Sequence, residues 1–160
     1  MKKITFSNIS ELEKYLVPLM KDVMNKEVTE TIRDVEQRNI QDEVYNKYEP
    51  VMYERRRRND GLQDRKNMIH NVNTFKNGVE LTVENITEGI EDDFLIADLV
   101  EYGDGHNGKE YQYKGNRLAK DYLKPRPFTK ATIEELELND EHVYSFIKGM
   151  RAKGVDLKKG

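Results

Sequence analysis

The sequence predicts an α+β fold, in which a long N-terminal helix packs on a twisted, mostly antiparallel β-sheet that a C-terminal helix closes. Three observations predict it. Between Leu12 and Tyr48 apolar residues recur three to five apart, which places them on one stripe of a helix. Val79-Glu-Leu-Thr-Val83 alternates apolar and polar with the period of two of a strand. Val143, Phe146, Ile147 and Met150 then return to helical spacing near the end. At 160 residues the chain reads as one domain, 1–160, that buries about two-thirds of its unfolded surface.

Taken in order, residues 1–9 form a short strand or arm, with Ile4 and Phe6 of Lys2–Ser7 on one face. Ser10 with Glu13 has the spacing of a capping box, in which hydroxyl and carboxylate satisfy reciprocal backbone donors. A helix over 10–49 follows, its stripe made of Leu12, Leu16, Leu19, Val23, Val28, Ile32, Val35, Ile40, Val44 and Tyr48. Pro50 ends it, and Pro18 should kink it or start it afresh. Such a helix measures roughly 60 Å at 1.5 Å per residue. A compact globule of this size is about 40 Å across. One end should therefore project or pack on another subunit.

Residues 66–123 form the β-rich region. Met68 to Phe75 alternates, with Met68, His70, Val72 and Thr74 on one face, and Asn77-Gly78 has the composition of a hairpin turn with positive φ. Val79–Val83 is the next strand, and its apolar face should meet Leu16, Val23 and Ile32. Phe94 to Val100 reads as helix or strand. The stretch 103–117 holds four glycines and should be a mobile loop that orders on assembly, with Tyr111 and Tyr113 able to pair it into a small hairpin. Helices over Thr129–Leu136 and Asp140–Lys153 make the C-terminal region 129–153, and Gly154 is a natural stop.

Composition narrows the function. The chain has no cysteine, so neither disulfides nor thiolate metal sites are available, and no apolar run reaches the length of a membrane span. The start has no apolar core of signal-peptide length. The net charge of −3 hides blocks: residues 71–105 carry −8, residues 106–130 carry +5, and residues 51–70 carry +3. Alternating blocks suit surfaces that meet a charged complement, and equally a set of solvated faces, better than a general grip on nucleic acid.

No catalytic apparatus emerges. His70, His106 and His142 are far apart and outside metal-binding spacings, and Asp92, Asp93, Asp98 and Glu101 read as a negative surface. Phosphate-loop, dinucleotide and nucleophile-elbow patterns are missing. The expectation is a protein with no enzymatic turnover, no cofactor and no metal. Arg55-Arg-Arg-Arg58 suits phosphate, because guanidinium forks match phosphate oxygens, and suits equally a basic loop paired with Glu54, Asp60 and Asp64.

Ile96-Ala-Asp-Leu-Val-Glu-Tyr-Gly103 and Lys124-Pro-Arg-Pro-Phe128 are the most specific stretches. Pro125 and Pro127 fix φ around Arg126 and deliver Phe128 in a rigid pose, and Arg126 could anchor on Glu101. This LVEYG…PRPF pair resembles a signature of the tail-component or head–tail joining proteins of tailed phages. Val44-Tyr-Asn-Lys-Tyr48, Pro50, Tyr53-Glu-Arg-Arg56 and Gly61-Leu-Gln-Asp64 are similar to a region of related proteins from phages and prophages of Gram-positive hosts. The matched segments span most of 28–150; the loop between LVEYG and PRPF is long, and the acidic stretch 84–93 has no match there. The resemblance implies an α+β virion subunit that acts in tail completion or head–tail joining. It would be assembled in the bacterial cytoplasm and located at the neck, as a ring between a portal-side adaptor and the tail terminator or tail tube. Implied interface residues are Arg55, Arg56, Arg57, Arg58, Glu101, Tyr102, Gly103, Arg126, Pro127 and Phe128, with DNA possible in the nearby channel and no membrane partner. The other reading is a small nucleic-acid-binding or DNA-processing protein that works through Arg55–Arg58.

Overall fold

The computed structural model describes residues 4–49, 54–89, 95–103 and 124–157. It has the α+β architecture expected: a continuous helical stretch from Ile9 to Tyr45, an antiparallel hairpin, and helices toward the C-terminus. The helical stretch runs through α1 (Ile9–Val23), a π-turn segment (Met24–Val28), α2 (Thr29–Asn39) and a second π segment (Ile40–Tyr45). Strands β1 (Met68–Phe75) and β2 (Gly78–Asn85) follow, then α3 (Ile96–Tyr102), α4 (Phe128–Asn139) and α5 (Glu141–Ala152).

Several local expectations are corrected. Residues 4–7 are not a strand; Phe6 instead packs on Tyr15 of α1, with ring centroids 5.3 Å apart. The helix cap lies two residues before Ser10. The Asn8 side chain accepts from the Glu11 N–H at 3.0 Å, and the Glu11 carboxylate accepts from the Ser7 N–H at 2.9 Å. Asn8-x-x-Glu11 is therefore the capping pair, and Ser10 is already helical. Pro18 sits inside α1 without ending it. The helix stops at Tyr45 rather than at Pro50, because Asn46 closes it: its N–H donates to the Gln41 carbonyl and its side chain bonds Asp42 and Gln41.

Within the described residues the sheet is the two-stranded hairpin, with an isolated bridge between Glu88 and Leu95. Phe75 faces Gly78, and the Ile86 N–H donates to Asn67 O at 2.8 Å, so the register holds to the base of the hairpin. From Val79 to Asn85 the inward residues of β2 are half-buried and the outward ones exposed, the alternation expected for Val79–Val83. In β1 only Met68 and Val72 of the four inward positions are buried. The turn forms without positive φ at Asn77 or Gly78, contrary to the expected geometry. The stretch 96–100, open between helix and strand in the sequence, is helical. The loop 104–117, with Tyr111 and Tyr113, and the acidic residues 90–94 lie outside the described residues.

The chain forms two compact units, one of residues 1–32, 70–83 and 138–160, the other of residues 33–69 and 84–137. In the first, Val23, Val28 and Met150 make the core, and Leu16, Leu19, Ile32, Leu81 and Phe146 pack on it. The Leu81 contact with this group fulfils the expectation for the strand's apolar face. Thr31 and Ser145 hydroxyls converge on the Glu27 carbonyl, and Thr29 Oγ1 donates to Met24 O at 2.7 Å, meeting a carbonyl within the π winding. After α5, Gly154 takes φ 85° while its N–H bonds Arg151 O and the Val155 N–H bonds Met150 O; this paired closure stops the helix where expected.

In the second unit the core is Ile40, Val44, Leu62, Met68, Ala97, Val100 and Phe128. Polar groups stitch its edges. Gln37 and Gln63 exchange side-chain-to-carbonyl bonds of 2.6 and 2.8 Å. The Asn85 amide donates to Glu36 and to Leu62 O and accepts from Thr87. Glu36 is buried, and that burial pushes its carboxyl above the usual range against the opposing bond from Asn85.

Candidate functional site

The residues singled out in the sequence lie in the second unit, and they gather around the end of the helical stretch and the start of α4. Arg55 is drawn inward. Its guanidinium lies over the rings of Tyr45 and Tyr48, at 5.0 and 5.6 Å, and donates to the Tyr45 carbonyl at 2.8 Å. Arg57 also lies over the Tyr45 ring at 5.5 Å, and Arg126 over Tyr48 at 5.2 Å. Two tyrosines thus hold three guanidiniums through the negative faces of their rings. Burial raises the Tyr45 hydroxyl above its ordinary pKa despite Arg55 and Arg57. The sequence pairs these arginines with Glu54, Asp60 and Asp64, whereas the structure also gives them aromatic partners. The signal was present in Tyr45-Asn-Lys-Tyr48, whose rings stand at the end of the helical stretch, ten and seven residues before Arg55.

The remaining arginines are placed by a tight turn. Arg56 donates to Glu88 O at 2.5 Å and pairs with Asp60 at 3.5 Å. Arg57 and Asp60 both adopt positive φ, 48° and 62°, which is costly for residues with a side chain. The turn is held by bonds from the Asn59 N–H to Arg56 O and from the Gln63 N–H to Arg57 O, and by the Asp64 carboxylate on the Asp60 N–H. That last bond holds the Asp64 carboxyl below its usual range. Gly61 is required here, because a Cβ would lie 2.5 Å from Arg57 O. Arg58 borders an open groove lined also by Asp34, Gln37, Gln63, Asp64 and Arg65. Arg57 and Arg58 are exposed and form no ion pair among the described residues.

The LVEYG and PRPF stretches, more than twenty residues apart in sequence, form one construction. The Arg126 N–H donates to Val100 O at 2.8 Å, and Phe128 is 1% exposed against Ala97 and Val100. Glu101, also buried, accepts from the Thr129 and Lys130 N–H groups at 2.8 and 3.1 Å. Its carboxylate therefore caps the first turn of α4 and meets the positive end of that helix. Gly103 ends α3 with φ 71°, and Tyr102 stands 55% exposed beside it. So Glu101, Gly103 and Phe128 serve the fold, whereas Tyr102 faces outward.

Among the described residues, no group of three or more His, Asp or Glu could hold a metal ion, and no helix is long and apolar enough to cross a membrane. The described part of the site presents ring–guanidinium contacts and exposed charge.

The YomN family model matches residues 8–152, from the Asn8 cap to the last residue of α5. The chain belongs to the YomN family. YomN is a phage-related family, so the phage association expected from the motifs stands at that level. The match takes in the helical stretch, the hairpin, the arginine turn and the α3–α4 construction together. No curated protein and no solved structure matched the chain.

Proposed function

We propose that this YomN-family protein is a structural subunit of a tailed phage or phage-like particle, acting in tail completion or head–tail joining. In this reading it sits at the neck as one member of a ring, between a portal-side adaptor and the tail terminator or tail tube, and works by binding without turnover. The observation that carries the reading is the Arg57–Arg58 turn. The fold maintains two left-handed residues and an obligatory glycine in the turn that presents two exposed cations, one of them over the Tyr45 ring. Positive φ at non-glycine residues is strained and persists where surrounding structure enforces it, often at binding surfaces. The order of the motifs and the family's phage association add support.

A direct grip on DNA through the whole run draws less support, because Arg55 and Arg56 are engaged within the chain, Arg55 on the tyrosine rings and the Tyr45 carbonyl and Arg56 on the Glu88 carbonyl and Asp60. Removing the gene from the phage or prophage that encodes it tests the proposal. Separate filled heads and finished tails are expected in the lysate by electron microscopy. Intact joined particles would refute a joining role. Heads that fail to fill would point to the DNA-processing alternative.

A further inference from the structure

The hairpin has an outward row with no intramolecular cover in the described structure. Opposite one another on that face stand Ile69 and Glu84, Asn71 and Thr82, Asn73 and Glu80, and Phe75 and Gly78. Ile69 is 41% exposed and Phe75 is 56% exposed. Glu80 and Glu84 are exposed, form no ion pair among the described residues, and share the row with no basic side chain. A two-stranded ribbon with one bare face is marginal by itself. This one therefore offers a ready surface of apolar ends and two acids spaced about 13 Å along β2.

We propose that this face docks on the Arg57–Arg58 turn of a second copy of the chain. The proposal rests on the reading that the protein self-associates, and it names the surfaces. The two surfaces are complementary: two exposed acids without an ion pair among the described residues on one, and on the other two exposed guanidiniums without one, with Tyr45 beneath Arg57 as an aromatic floor. Because the two surfaces are different, the contact is head-to-tail, the type that closes into a ring when the rotation allows. Exposed ion pairs add little affinity individually. The charges select partner and register, and Ile69 and Phe75 supply apolar contact.

The absence of native cysteine makes the test direct. Full-length Glu80→Cys and Arg58→Cys variants, each checked for an unchanged melting temperature, are mixed at high protein concentration under mild oxidation. A mixed disulfide dimer is expected to dominate, and to be lost when Arg57→Glu is added to the Arg58→Cys chain or when salt is raised. Dimers formed as readily within Glu80→Cys alone would assign the hairpin face to its own copy and overturn the proposal. Absence of any mixed product would overturn it too. A phage that joins heads to tails without this protein refutes the functional reading and leaves the cross-linking result standing, so the two failures are distinguishable.

Discussion

Replacing Glu101 separates a folding role from an interface role at the most distinctive motif of the chain. Its carboxylate is buried and accepts two backbone N–H bonds from the first turn of α4, at 2.8 and 3.1 Å. Each is a charge-assisted bond of about 1.5–3 kcal/mol, and removing the acceptor leaves two donors without a protein partner. The favourable meeting of a negative charge with the helix N-terminus, about 0.3–1 kcal/mol and more when partly buried, is lost as well. Glu101→Ala should therefore cost about 3–5 kcal/mol. Glu101→Gln, which keeps one acceptor oxygen but turns an amide toward an N–H, should cost roughly 1–3 kcal/mol. With about 2–4 °C per kcal/mol for a chain of this size, the alanine variant should melt some 6–20 °C lower. Because two compact units need not unfold together, amide exchange of Thr129 and Lys130 is the sharper readout, and both should lose protection. A Glu101→Ala protein with unchanged melting and protection would refute the capping role, and would return Glu101 to the outer surface.

Gly149 packs against Val23, and an added Cβ would lie 2.6 Å from one of its methyls, so Gly149→Ala should destabilise by about 1–2 kcal/mol despite better helix propensity, with Val23→Ala partly relieving the second change in a double-mutant cycle of chemical denaturation. Glu36 has its carboxyl raised by burial, so folding favours the protonated form: that contribution is complete below the ordinary 4.5 and declines as pH rises through the raised value. Glu36→Gln should thus raise the melting temperature at neutral pH and lose its advantage in acid; a variant less stable at neutral pH would refute this. The Asp22 carboxyl is lowered to about 2 by bonds from Lys153 and then Lys26, so its stabilising charge is present above 3.8 and lost as pH falls through about 2. Lys153→Gln should move its NMR titration back toward 3.8. Arg55→Lys, which loses the planar stack on two tyrosines and a directed bond to Tyr45 O, should cost about 1–2 kcal/mol in denaturant unfolding.

The sequence by itself determined the elements whose signal is local and periodic. The stripe from Leu12 to Val44, the alternation of Val79–Val83 and the spacing of Val143 to Met150 each report which face is apolar, and burial follows the face. Gly154 was legible because a glycine directly after a helical pattern suits the left-handed residue that closes a helix. The helix start was misplaced by two residues because Ser10 and Asn8 both satisfy the chemistry of a cap, and both are followed three residues later by a glutamate, Glu13 and Glu11.

Tertiary structure decided what the charged residues do. Arg55–Arg58 is one run in sequence, yet its members go to tyrosine rings, a carbonyl and solvent, because the turn around Gly61 sends successive side chains in different directions. Glu101 looked like surface charge and is a buried cap, because α4 begins directly over it. Such assignments rest on distances between residues remote in sequence, and a charge acquires its role from whatever the packed core brings within about 3 Å of it.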